Sequence, residues 1–527
     1  MPTEPAKRAG RRPNILLIID DQHNPRVLGH TGACEVQTPR LDEFASQSVV
    51  FSNAYCNNPV CAPTRHTLYT GRYASDHGVY VNDLPMREDV PTLMAALNEA
   101  GYTTANVGKM HNCPYHHRRD FQYVLHHEFF IDHGGISHYA PYLDAQVKQR
   151  GLRRPARRWG QPREGLRSWL QDPECIAGEN WVPEELTAER WVTDESLAFI
   201  RDQLVRRPDQ PFFLHASYFP PHHPYRPIAK YAAMYDPEAM ALPPNWRPVT
   251  PRGGMGAAGQ LSEEDVRRFR AYYYGFVTQL DAEIGRLLDG LEALGVAGDT
   301  IVLFMSDHGD MLGEHGRMYK GVMFEGSARV PFMVRWPGVT TPRQEDALIS
   351  HADVVPTLQR AAGLPDDALG RELPGADLQP LLQHGATGGG WGDRAIYAEY
   401  FSRWPYTHLM LRRGAYKLIR SREEGGVVQR LYDLERDPWE LRDLAGDAEQ
   451  AETLAELAAE LDAIWERQRS AMPAEPPPMP WRRTYEIGWP ADPWETVRPV
   501  GWQQPDAHGG WPRAPQGYAP PDRLNEG

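Results

Sequence analysis

The stretch NILLIIDDQHN, residues 14–24, decides the fold. Five apolar residues in a row, three of them isoleucine, are too few for a helix and have no polar face. They read as a parallel strand buried on both sides, ending in two aspartates. Runs of the same kind recur at YTTANVG (102–108), PFFLHAS (211–217) and TIVLFMS (300–306). Between them lie helical patterns at 90–101, 194–207 and 261–295. Alternating strand and helix predicts an α/β sheet covered on both faces. Such a sheet binds ligands at the carboxyl ends of its strands, where several of these runs end in Asp, Lys or His.

Past about residue 390 the texture changes. RAIYAEYF, THLMLRRGAYKLIRS and VVQRLYDLE read as antiparallel strands, and Leu454, Leu457, Leu461 and Ile464 trace one stripe of a following helix. The expected organisation is a catalytic α/β unit over 13–390, a small α+β subdomain over 391–470 and a tail over 471–527. The tail holds 13 prolines and five tryptophans, too much proline for regular structure and too many aromatics for a solvated segment. It is expected to lie extended over the body or a neighbouring subunit.

With 56 basic and 70 acidic residues the formal net charge is -14, which argues against nucleic acid or an anionic membrane as partner. Five scattered cysteines make no disulfide framework and indicate a reducing compartment. The apolar run after the basic start is too short for a signal-peptide core, and no window reaches the length of a membrane span. The expectation is a cytoplasmic protein.

Cys61-Ala62-Pro63-Thr64-Arg65 opens a predicted helix, with Pro63 in the first turn, where its missing N–H costs nothing. A helix amino end favours an oxyanion at position 61. A buried structural cysteine is the alternative; a thiol-based tyrosine phosphatase is not, because its loop needs more residues between cysteine and arginine. Asp20 with Asp21, and Asp307 with His308 in MSDHGDMLGEHG, each place oxygen or imidazole donors at the end of an apolar run.

Cys61 to Arg65, followed by HTLYTGRY, resembles the C-x-P-x-R signature of type I sulfatases, in the alkaline phosphatase-like superfamily, over roughly residues 13 to 470. The resemblance implies a central mixed, mostly parallel sheet flanked by helices. It implies that Cys61 is converted to formylglycine by a formylglycine-generating enzyme, and that Asp20, Asp21, position 61, Asp307 and His308 hold one divalent metal. Calcium stands ahead of manganese or magnesium, although histidine replaces the usual asparagine at 308. Lys109 and His111 match a G-K-x-H element, His222 a P-H-x-P histidine and Lys320 a second lysine; with Cys61 and Arg65 these are the implied catalytic residues. Lys109, His222 and Lys320, with Gln22 and Asn82, are the implied substrate contacts.

The implied reaction is hydrolysis of a sulfate monoester, of a small molecule or a carbohydrate. A metal-bound formylglycine hydrate attacks sulfur, His222 protonates the leaving oxygen, and a sulfo-enzyme collapses after His111 takes a proton. The rival on the same scaffold is a phosphonate monoester or phosphate diester hydrolase, although Lys109 and His111 replace the hydroxyl residues such enzymes carry there. An inactive anion-binding relative is the third reading. Assembly into a homo-oligomer is a further expectation. Seven histidines over 111–138 and eight basic residues over 148–167 have no assigned role: a second metal site and an anion-attracting rim are the functional readings, loops the simpler ones.

Overall fold

Residues alternate along the first strand, β1 (Asn14–Asp21), and so divide one apolar run between two cores. Ile15, Leu17 and Ile19 join one hydrophobic cluster, Leu16 and Ile18 the other. The computed structural model describes residues 11–470 and 472, apart from 33, 83, 114–116, 129–136, 154–172, 249–260, 371, 387–389, 404–405 and 424. Along it follow β2 (Val49–Phe51), β3 (Ala54–Tyr55), β4 (Thr103–Gly108), β5 (Tyr123–His126), β6 (Phe212–Pro221), β7 (Thr300–Ser306), β8 (Phe332–Arg335), β9 (Arg343–Glu345) and β10 (Ile349–Ser350).

Eight of these form one sheet in the order β5-β4-β6-β1-β7-β8-β2-β9, with β3 and β10 paired apart. The run from β5 to β7 is parallel throughout, and β8 runs against both β7 and β2. The four runs picked out in the sequence are β1, β4, β6 and β7, the centre of this sheet. Their carboxyl ends therefore lie along one edge, which carries Asp20, Asp21, Lys109, His222 and Asp307.

Helices cover the sheet. Ala188–Arg206 starts six residues earlier than its pattern suggests, because Thr187 accepts the Arg190 N–H and caps it. Glu263–Ala293 opens with a capping box between Ser262 and Asp265. At the end of β4, Gly108 has φ +105°, and a Cβ there would lie 1.8 Å from the Ser217 carbonyl oxygen of β6. Only glycine lets the two strands close so tightly before the chain turns into Lys109, whose N–H donates to that same carbonyl at 3.1 Å.

The C-terminal strands β11 (Ala395–Arg403), β12 (Tyr406–Arg413), β13 (Tyr416–Glu423) and β14 (Gly426–Asp433) form an antiparallel meander. The sequence run 407–421 is a hairpin turning at Gly414, φ +52°. One face, with Ile396, Ala398, Met410 and Ile419, packs on Val60 and Met323 of the main body. The other, with Leu409, Leu411, Leu418 and Leu431, receives Leu457 and Leu461 of the helix Ala451–Arg469. Among the described residues, no helix is long and apolar enough to cross a membrane. The tail, 154–167 of the basic segment, and His116 and His133 lie outside the described residues, except Met472, which packs with Phe401 and Tyr80.

Burial holds His77 and His127 down to about 3 and His138 to about 4, so all three are neutral in the folded chain across the mildly acidic range. The unfolded chain binds protons there that the native state refuses, so these three contribute stability that grows with pH through that window. Glu189, Glu195 and Asp281, pushed up by burial to about 7, 8 and 7, contribute in the opposite sense. His127→Gln should therefore make the urea midpoint less sensitive to acidification from pH 6.5 towards pH 4 than in the unaltered protein, by at most about 1.4 kcal/mol per pH unit. An unchanged pH dependence in that variant would contradict this.

Candidate active site

Cys61 is the first residue of the helix Cys61–Thr70, all of whose residues are buried. Val60 supplies no capping side chain; instead Asn82, from a separate loop, accepts the Ala62 N–H at 3.0 Å. The Asn82 carbonyl that the sequence suggested for substrate is thus engaged with the helix end.

Around the Cys61 Sγ, Lys320 Nζ lies at 2.9 Å, His308 Nε2 at 3.1 Å and an Asp21 oxygen at 3.7 Å. His111 and His222 also interact with it electrostatically. Burial works against ionisation of the thiol, but Lys109, Lys320 and His308 overcome it and hold Cys61 well below its ordinary value. Asp21 is paired directly with Lys109 and is also held below the usual carboxylate range, against burial and Cys61.

Arg65, one turn along the helix, is completely buried. It donates from Nε to Asp307 at 3.0 Å and from Nη1 to Ser217 Oγ at 2.7 Å, and its Nη2 makes an ion pair with the same Asp307 oxygen at 2.9 Å. Asp307 in turn accepts the backbone N–H of Gln22 at 3.1 Å. Arg65 therefore ties the ends of β1, β6 and β7 to the helix that carries Cys61.

Asp21, Cys61, Asp307 and His308 offer donor atoms within 4.8 Å of one another, all fully buried. Asp20 is not in this group: its Oδ2 lies 2.5 Å from His23 Nδ1, and its buried Oδ1 has no hydrogen-bond partner. These residues fit a divalent cation. His308 Nδ1 donates to the Gly309 carbonyl at 3.0 Å, so a neutral ring turns a bare Nε2 towards Asp21 at 3.7 Å and Asp307 at 3.6 Å. A lone pair facing two carboxylates needs a positive charge between them. Without one a proton substitutes: burial opposes it, but Asp307 pushes His308 above its ordinary value. Carboxylate oxygens with one imidazole suit calcium, manganese or magnesium.

His222 is held down to about 4 by burial and Lys320, and its Nδ1 donates to the His223 carbonyl at 2.5 Å. Gln22 sits at φ +71° behind Asp21. Sequence reading missed Ser217, which meets Arg65, and Glu128, whose Oε1 accepts the N–H groups of Met110 and His111 and fixes the turn after Lys109. Ser217 ends a legible strand, which was the available signal; nothing near Glu128 gave one. It also missed Asp310 and His223. Among the described residues, the other histidines of 111–138 form no second cluster of metal donors.

The sheet and the buried cluster at its edge define an alkaline phosphatase-like hydrolase. The family model Sulfatase matches residues 13–364, and the model N-sulphoglucosamine sulphohydrolase, C-terminal, matches 313–467. The chain belongs to the sulfatase family, the sulfuric ester hydrolases. An arylsulfatase of Clostridium perfringens is 30% identical over 84% of this chain and 92% of its own length. A choline-sulfatase of Rhizobium meliloti is 31% identical over 82% of each chain. The phosphonate monoester hydrolase of Agrobacterium radiobacter superposes with a TM-score of 0.72 at 26% identity, covering 87% of this chain and 96% of that one.

Adding calcium, manganese or magnesium to chelator-treated protein should raise the thermal midpoint, by the equivalent of about 2.7 kcal/mol at 100-fold excess over Kd. The ranking of the three assigns the metal. Asp21→Asn should abolish most of the rise, whereas a midpoint indifferent to every cation would remove the metal from the site.

Proposed function

We propose that this protein hydrolyses a sulfate monoester with the side chain at position 61, after conversion of Cys61 to formylglycine by a formylglycine-generating enzyme. The observation that carries this is the placement of Lys320 and His308 within 3.1 Å of one buried Sγ at a helix start, with Asp21 and its partner Lys109 beside it. In formylglycine the aldehyde hydrate supplies one hydroxyl as nucleophile and a second whose deprotonation releases sulfate. A divalent metal would be held by Asp21, Asp307, His308 and position 61, and would supply Lewis acidity and counter-charge there.

The chain's own groups do the rest. A cation about 4 Å from the sulfuryl oxygens is worth roughly 4 kcal/mol at an effective dielectric near 20, so Lys109 and Lys320 can offset the repulsion between an anionic ester and an anionic nucleophile. Arg65 acts one layer back, holding Asp307 in place. His222 holds the proton for the departing oxygen at Nε2, because Nδ1 is committed to the His223 carbonyl. Its low value is set by burial and by Lys320; an arriving anion raises it. His111 receives the proton in the second half-reaction. Five scattered cysteines, too few for a disulfide framework, support a cytoplasmic location.

A phosphonate monoester or phosphate diester is the second reading, favoured by the superposition on the Agrobacterium enzyme. Peptide mass spectrometry across residue 61, on protein assayed in parallel with 4-nitrophenyl sulfate and a phenylphosphonate monoester, separates the two. The expected result is aldehyde at position 61 and faster sulfate turnover. Full activity with an intact thiol would refute the mechanism, and faster phosphonate turnover would install the rival. Lys320→Met should lower kcat/KM by about 10²- to 10³-fold, the loss typical of one oxyanion partner.

A further inference from the structure

His223 follows the P-H-x-P histidine directly, and no role has been given to it. Its ring stacks on His222 at 4.1 Å with 23° between the planes, and Tyr319 covers its other side at 4.1 Å. Both histidines are almost wholly buried just after β6, and His223 meets Gln22, the residue after Asp21, at 3.0 Å.

The hydrogen bonds fix which nitrogen of each ring carries the proton. Asp310 Oδ1 accepts the backbone N–H groups of Leu312 at 3.0 Å and Tyr319 at 2.9 Å. Its Oδ2 accepts from Tyr225 Oη and from Gln22 Nε2, both at 2.6 Å. A carboxylate offers only lone pairs to these donors, so the Gln22 amide has one allowed orientation, NH2 towards Asp310. The second Nε2 hydrogen then points to His223 Nδ1 at 3.0 Å, which must accept, and neutral His223 carries its proton on Nε2. His222 is the reverse: Nδ1 donates to the His223 carbonyl, and Nε2 is bare when the ring is neutral. Two stacked histidines are thus locked in opposite tautomers.

We propose that His223 is a fixed hydrogen-bond donor to the bound ester, through Nε2–H, and that Asp310 and Gln22 are positioning residues that set its tautomer. The two rings divide the work: His222 takes and gives a proton at Nε2, while His223 donates a hydrogen bond without changing charge. Gln22 then has no N–H left for substrate. Its Oε1, buried and without a partner, is the atom left to accept from a ligand hydroxyl or a water. The proposal rests on the ester-hydrolase reading of the same site but not on which oxyanion is cleaved.

Asp310→Asn is nearly isosteric and lets the Gln22 amide turn over, which presents Oε1 to His223 Nδ1 and moves the ring proton off Nε2. It should lower kcat/KM by about 10- to 100-fold, the cost of one lost donor facing an oxyanion. His223→Gln keeps an N–H at the Nε2 position and should lose less than His223→Asn or His223→Phe. In the His223→Gln background Asp310→Asn should cost little more, because the glutamine has no tautomer to set. Assays use whichever ester of the sulfate and phosphonate pair is turned over faster, so failure of the sulfatase reading leaves the cycle measurable. Independent effects of the two substitutions would overturn the proposal. So would 15N-histidine NMR of the unaltered protein, with His223 identified by its loss in His223→Gln, showing the proton on Nδ1.

Discussion

Everything in this site depends on charge neutrality inside a volume closed to water. Asp21, Arg65, Asp307 and His308 are wholly buried, and Lys109 and Lys320 nearly so. A single ionised side chain moved into such surroundings would cost several kcal/mol or would change its protonation state. The cluster persists because each charge meets another: Asp21 with Lys109, Asp307 with Arg65, and Cys61 with Lys320. The donor atoms of Asp21, Asp307, His308 and Cys61 nonetheless face one another closely enough for a cation to fit among them. The same neutrality that makes this buried cluster stable makes it receptive to a metal and an anion together.

Strand ends are suited to this arrangement. A parallel sheet lines up the carboxyl ends of distant segments at fixed spacing, so residues nearly 300 positions apart in sequence become neighbours. β1 supplies Asp20 and Asp21, β4 leads into Lys109, β6 ends at His222 and β7 leads into Asp307 and His308. The helix that begins at Cys61 brings its amino end against them, and Arg65 secures it from below. Successive residues of β1 serve different partners, since side chains alternate: Asp21 faces the thiol, while Asp20 reaches His23.

The central strands were legible because burial on both faces leaves an unbroken apolar run. β2, β8 and β9, of three or four residues each, leave no comparable trace. The residues of the chemical cluster were legible through local spacing and the resemblance it carries: Cys61 to Arg65, Lys109 with His111, Asp307 with His308. Residues acting through contacts across the fold were not. Glu128 matters because the backbone of Met110 and His111 turns past it, and Asp310 because four donors from separate segments converge on it. Asn82 was legible as polar near the site, but only coordinates show its oxygen spent on the helix end.

The C-terminal sheet belongs to the same construction. Lys417 of β13 is completely buried and reaches Glu325 at 2.8 Å and Glu440 at 2.7 Å. Glu440 also accepts the Glu325 N–H at 2.8 Å. Glu325 lies five residues beyond Lys320, at the end of the segment that runs from Asp307 towards β8. A buried lysine deprived of both carboxylates would be left uncompensated, at a typical cost of about 3–5 kcal/mol. The meander is therefore held against the catalytic segment by this buried pairing. Because its apolar face packs on Val60, the residue just before Cys61, and on Met323, it fixes from one side both the helix that presents the nucleophile and the loop that presents Lys320.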